Sequence, residues 1–104
     1  PYASMLETAA LAIVVCARPE DQSGVCDGYW PLDCGAAVEN LLLQAVDLGC
    51  GACWCGCWPS PRAAALQEIL NTQSVPVALV AVGVPDESPA ARGHYDPGKV
   101  TWLA

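Results

Sequence analysis

A chain of 104 residues amounts to one domain, and its 54% hydrophobic and 14% charged content excludes a disordered segment while leaving more apolar surface than a small monomer easily hides. Eleven Asp and Glu against four Lys and Arg give a formal charge of -7, which repels phosphate backbones and anionic head groups and argues against nucleic acid or a membrane as partner. No apolar run nears the roughly 20 residues of a membrane helix and no signal-peptide order opens the chain, so a cytoplasmic location is expected.

The chain opens on Pro1, in PYASMLETAAL, with neither a start methionine nor a helix cap, and residues 1–104 are expected to form a single partial domain. Leu11 to Ala17, LAIVVCA, is a continuous run rich in β-branched residues, which predicts a central strand covered on both faces. Residues 18–33 carry Pro, Gly, Asp and Ser and read as a surface loop ending at Trp30-Pro31. Asp33 is placed to N-cap a helix over 34–48. Ala37, Val38, Leu41, Leu42, Ala45 and Leu48 fall at helical spacing there, and Ala36, Leu43 and Val46 widen the stripe toward a helix buried on most sides. Gly49 ends it in the left-handed conformation glycine adopts at least cost.

GACWCGCWP, from Gly51 to Pro59, predicts a short aromatic strand stopped by proline. Ser60 then caps a second helix that has Pro61 at its first position and runs from Arg62 to Leu70. Val75 to Gly83, VPVALVAVG, predicts another strand, and 84–104 a loop-like tail with a short strand at Val100 to Leu103. Strand, helix, strand, helix, strand with short connections describes an α+β or α/β sandwich around one sheet.

Seven cysteines, Cys16, Cys26, Cys34, Cys50, Cys53, Cys55 and Cys57, are an odd number and fit reduced thiols in a reducing compartment, most of them acting as small hydrophobes. On a strand, Cys53, Cys55 and Cys57 would share one face at steps of about 6.6 Å. Thiolates on one tetrahedral zinc stand only about 3.8 Å apart, so the three cannot chelate one such ion and no metal site is assigned. Disulfide pairing of Cys55 with Cys57 fails by the same parallel geometry. Cys50, in disulfide-oxidoreductase spacing with Cys53, follows a helix C-terminus, where the dipole disfavours a thiolate. Gly49, Gly51 and Gly56 run from helix into strand, the reverse of a dinucleotide fingerprint. His94, the single histidine, has no nucleophile in a recognised context beside it, and Asp86-Glu87 reads as a solvated turn.

The ordered stretch GYWPLDCGAAVENLLLQAVDLGCGACWCGCWPSP, followed by ALQEIL, VPVALVAVGVP and RGHYDPGKVTW, is similar to the C-terminal part of the nitroreductase family over about residues 6–102. The resemblance implies an α+β sandwich, a central sheet flanked by helices, in a homodimer with the long helix at its core. It further implies an FMN enzyme cycling by ping-pong kinetics, taking hydride from NAD(P)H and reducing nitroaromatics, quinones or similar small-molecule acceptors. By the same resemblance Trp54, Cys55, Gly56 and Cys57 form the flavin-facing segment, with Gly56 allowing close backbone approach. Arg92, Gly93 and His94 stand where the family places basic residues against the FMN phosphate, His94 replacing a more usual arginine. The family's N-terminal Arg-Arg-Ser-like, phosphate-gripping segment has no counterpart in these 104 residues, so a fragment carrying half an FMN site is expected. A noncatalytic interaction module with the same fold, and a cysteine-rich metal-binding protein, are the alternatives.

Overall fold

The computed structural model describes residues 3–104, so that Pro1 and the opening of the chain at it lie outside the described residues. Five regular elements follow in the order β1 (Leu11–Ala17), α1 (Trp30–Asp47), β2 (Gly51–Gly56), α2 (Arg62–Leu70) and β3 (Val75–Gly83). The three strands make one antiparallel sheet in the order β1-β3-β2, which is an α+β arrangement.

The apolar run of β1 does form a strand, but β3 and not β1 is the central one. The covered strand is β3, where Pro76, Val77, Ala78, Val80 and Ala81 are all buried, whereas Leu11 at the start of β1 is 52% exposed. β1 also carries an irregularity between Val15 and Cys16 that shifts its register against β3.

α1 starts four residues earlier than an N-cap at Asp33 predicts. Pro31 lies in its first turn, where the missing N–H costs nothing and the fixed φ suits a helix. Asp33 is therefore inside the helix and caps nothing; its carboxylate accepts from Gln22 Nε2 at 3.5 Å and adds favourable negative charge to the first turn. The stretch before it contains two short 3-10 turns, Pro19–Asp21 and Gly24–Cys26. At the other end Gly49 takes φ 75, the N–H of Cys50 reaches Ala45 O at 2.8 Å, and that of Gly49 reaches Val46 O at 2.9 Å. Those two bonds satisfy the last carbonyls in a Schellman motif.

Within this chain α1 is not buried on most sides. Cys34, Val38 and Ala45 are buried, and Val38 packs with Ala78, Val80, Leu41, Leu42, Ala52 and Val82 against one sheet face. Leu32, Leu43, Val46 and Leu48 remain 61–72% exposed. A smaller cluster of Ala17, Cys34 and Val77, with Val15, Trp30 and Val75 against it, fills the end of the sheet near the start of α1.

Ser60 stands one residue before the N-cap position of α2, which Pro61 occupies. Its hydroxyl donates to Cys57 O and accepts from Arg62 N–H at 3.3 Å, tying the turn after β2 to the helix start. The predicted strand at Val100 to Leu103 does not form: a 3-10 turn at Pro97–Lys99 precedes irregular chain, and residues 84–104 are exposed throughout. Among the described residues, no helix is long and apolar enough to cross a membrane.

Candidate functional site

β2 is an edge strand. Its register pairs Cys53 with Ala81, Trp54 with Val80, Cys55 with Leu79 and Gly56 with Ala78, and Cys57 continues the ladder by donating to Val77 O at 3.0 Å. Because backbone groups alternate between inward and outward along a strand, the N–H groups of Cys53 and Cys55 turn toward β3. Those of Trp54 and Gly56 turn toward the open edge, beyond which no further strand lies among the described residues.

The side chains divide the same way. Ala52 packs with the cluster under α1, and Trp54 meets α1 at Gly35, where an added Cβ would lie 3.8 Å from Trp54 Cη2. Trp54 is nonetheless 44% exposed, so its ring is held along one side and open on the other. Cys53 and Cys55 point to the opposite sheet face, and Cys57 is buried at 3%. Trp58 stacks edge to face on Trp30 with centroids 4.8 Å apart, fixing the turn after β2 to the start of α1.

Two glycines of β2 answer to different neighbours. At Gly51 a Cβ would come within 3.1 Å of Pro85 Cβ and 3.2 Å of its Cα, so the tail crosses the strand where only glycine fits. At Gly56 a Cβ would meet nothing within 4 Å, and its φ is not in the left-handed region. Among the described residues nothing calls for glycine at 56.

Arg92, Gly93 and His94 lie in the irregular tail, all exposed. Among the described residues Arg92 and His94 make no ion pair, and a Cβ on Gly93 would meet nothing within 4 Å. Among the described residues no hydrogen bond or ion pair joins them to β2. Two of the other cations are held by local acids: Arg18 Nε lies 3.3 Å from Glu20 and 3.0 Å from Asp21, and Lys99 Nζ lies 3.8 Å from Asp96. A polar hollow of about 360 Å³ at the end of α2, lined by Gln67, Glu68 and Asn71 among others, shares no residue with either group.

All seven cysteines are free. Burial pushes the Cys57 thiol above its ordinary value, with Cys55 adding to the rise and Arg62 opposing it. Burial likewise raises Cys16, raises Cys34 with help from Asp33, and raises Cys55 with help from Cys53. Such thiols stay protonated at neutral pH and are poor nucleophiles. Among the described residues no group of three or more His, Cys, Asp or Glu is arranged to hold a metal ion. Sequence reasoning missed Gly35 and Pro85, the residues that seat Trp54 and bound Gly51. A glycine in a helix interior, unfavourable by itself, was the available sign of the first.

An α+β sandwich with a long helix across one face and an unpaired edge strand is the class of protein these features define. The chain belongs to the nitroreductase family, whose model matches residues 1–84. It is 40% identical over 105 residues to a protein of Archaeoglobus fulgidus named as a candidate NADH dehydrogenase/NAD(P)H nitroreductase, covering 95% of this chain and 60% of that protein. The crystal structure of a Bacteroides thetaiotaomicron protein of the same name superposes with a TM-score of 0.88 at 31% identity, over 98% of this chain and 60% of that one. An FMN-dependent nitroreductase from Clostridium difficile superposes with a TM-score of 0.81 at 26% identity, over 93% of this chain and 59% of that one. The chain thus spans 53% to 60% of the length of the curated relatives it matches.

Proposed function

We propose that this chain supplies one wall of the flavin site of an FMN-dependent NAD(P)H oxidoreductase of the nitroreductase type, working in the cytoplasm as a homodimer. Gly56 carries the reading: an edge-strand glycine with ordinary backbone angles and open space where its Cβ would stand leaves room for a flat ligand against the backbone. The residues fit such a group. The N–H groups of Trp54 and Gly56 are donors at an open edge, suited to a ring that gains negative charge on reduction. Cys55 and Cys57 hold the strand in register behind them.

FMN bound there would supply the hydride chemistry between NAD(P)H and a nitroaromatic, quinone or similar acceptor. The protein's part is to bind, orient and stabilise charge, which backbone donors do without an acid or base side chain. Arg92, with no ion pair among the described residues, is free to meet a phosphate as a planar, permanently charged donor, and Gly93 lets the backbone approach. His94 adds charge only when protonated. The exposed stripe of Leu32, Leu43 and Val46 on α1 suits burial against a second copy.

The test is FMN titration, read by flavin fluorescence and absorbance, of the chain alone and of a chimera in which it replaces the matched part of the Archaeoglobus fulgidus relative. Weak binding by the chain alone and saturable binding by the chimera are expected. A chimera that folds and binds no FMN would overturn the enzyme reading in favour of a noncatalytic module of the same fold.

A further inference from the structure

The thiols of Cys53 and Cys55 are left over from the flavin reading, which uses the backbone of β2 and not the side chains on its far face. Both residues lie in regular strand, paired with Ala81 and Leu79, so their side chains leave the sheet in parallel on the face opposite α1. Cys53 is exposed, Cys55 is half-buried and both are unbridged. Their β-carbons, two residues apart on a strand, stand about 6.6 Å from one another. That is beyond the roughly 3.5–4.5 Å a disulfide needs, so oxidation does not close the pair.

A linear, two-coordinate ion imposes a different distance. With metal–sulfur bonds of about 2.3 Å it holds its two sulfurs about 4.6 Å apart, so each thiol need lean only about 1 Å along the strand, within the swing of a staggered χ1. Soft thiolates with no oxygen or imidazole ligand select soft monovalent copper over zinc or magnesium. Cys57 is buried and its thiol already donates to Cys55 O at 3.6 Å, which leaves Cys53 and Cys55 as the accessible pair. We propose that Cys53 and Cys55 form a two-coordinate binding site for a thiophilic monovalent cation of the Cu(I) class on the outer face of β2.

Binding moves no electrons: each thiol releases its proton to solvent as one metal–sulfur bond forms at each sulfur. Because the bound sulfurs are thiolates, protons compete with the ion and the affinity rises with pH.

The experiment is anaerobic competition for Cu(I) against a chromophoric bidentate chelator, with the purified chain and its Cys53→Ser, Cys55→Ser and Cys26→Ser variants, followed by X-ray absorption at the copper edge. One ion per chain with two sulfur neighbours is expected. Loss of either thiol should lower the affinity at least about a hundredfold, because the second bond of a chelate forms at high effective concentration. Cys26→Ser, at an exposed cysteine outside the sheet, should bind as the parent does. Parent-like affinity in Cys53→Ser, an exposed position whose change spares the core, or three or more sulfurs around the copper, would overturn the proposal.

Discussion

Gly51 lies against Pro85 so closely that a methyl group on Gly51 would stand 3.1 Å from the Pro85 ring and 3.2 Å from its Cα. The contact joins the first residue of β2 to the second residue after β3, and it directs the tail across the strand. Backbone is on the other side of it, so the neighbour cannot swing aside as the end of a flexible side chain would. Gly51→Ala should destabilise the fold by about 1–3 kcal/mol, the usual cost of overpacking, seen as a lower denaturant midpoint. A midpoint equal to the parent's would mean the tail lifts from β2 without loss.

Gly56 gives the opposite expectation on the same strand. Its Cβ position is open, so Gly56→Ala should leave stability unchanged or raise it by up to about 1 kcal/mol through lost freedom of the unfolded chain, read as an equal or higher midpoint. In the flavin-binding chimera Gly56→Val should weaken FMN at least about tenfold, about 1.4 kcal/mol, with folding intact. Equal flavin affinity in Gly56→Val would remove the backbone approach at 56 from the site.

Both glycines look alike in GACWCGCWP, and this marks how far the sequence could be read. Element identity was legible where a local pattern decides it. VPVALVAVG is a strand, the apolar spacing after Cys34 is helical, and Gly49 takes the C-terminal cap with φ 75. Position in the sheet was not legible, because an apolar run says that a strand is covered and not by what. β1 and β3 read alike, yet β3 alone has a strand on both sides. The start of α1 was misread because Trp30-Pro31 resembles the end of a loop, whereas proline is favoured in a first helical turn. For the candidate site, the strand and its bare glycine could be read locally. Neither Pro85 against Gly51 nor Gly35 beneath Trp54 could, since those contacts join residues 34 and 19 apart in the chain.

Val38 is the middle of the α1 contact with the sheet, fully buried and packed with Ala78 and Val80. Val38→Ala removes two methyl groups from a site bounded by helix and sheet backbone, and should cost about 1–3 kcal/mol. The denaturant slope should stay as in the parent while the midpoint falls. A loss below about 0.5 kcal/mol would mean that α1 settles onto the sheet to close the space.

The stripe on the far side of α1 makes a separate claim. Leu43 and Val46 are 61% and 72% exposed and contribute little to the fold of one chain. Leu43→Glu with Val46→Glu should convert a self-associating species to monomer in sedimentation, with far-ultraviolet circular dichroism unchanged. If the parent chain is a well-folded monomer at every concentration tested, the dimer face is not on α1.

The thiols make stability depend on pH at the alkaline end. Burial raises Cys57, Cys34 and Cys16 above the ordinary value of 9.0 that they regain on unfolding. Near and above that value the unfolded chain has released protons that the folded chain retains, so it binds fewer protons and stability falls as pH rises. The contribution is complete below about pH 8, a unit under the unfolded value, and is lost as pH climbs through the raised folded values. Urea midpoints measured under reducing conditions should therefore hold steady from pH 7 to 8 and decline from pH 9 upward. Cys57→Ala should flatten that decline, because alanine leaves no thiol to ionise on unfolding. A decline of the same slope in Cys57→Ala would assign the alkaline loss to the general negative charge of the chain instead.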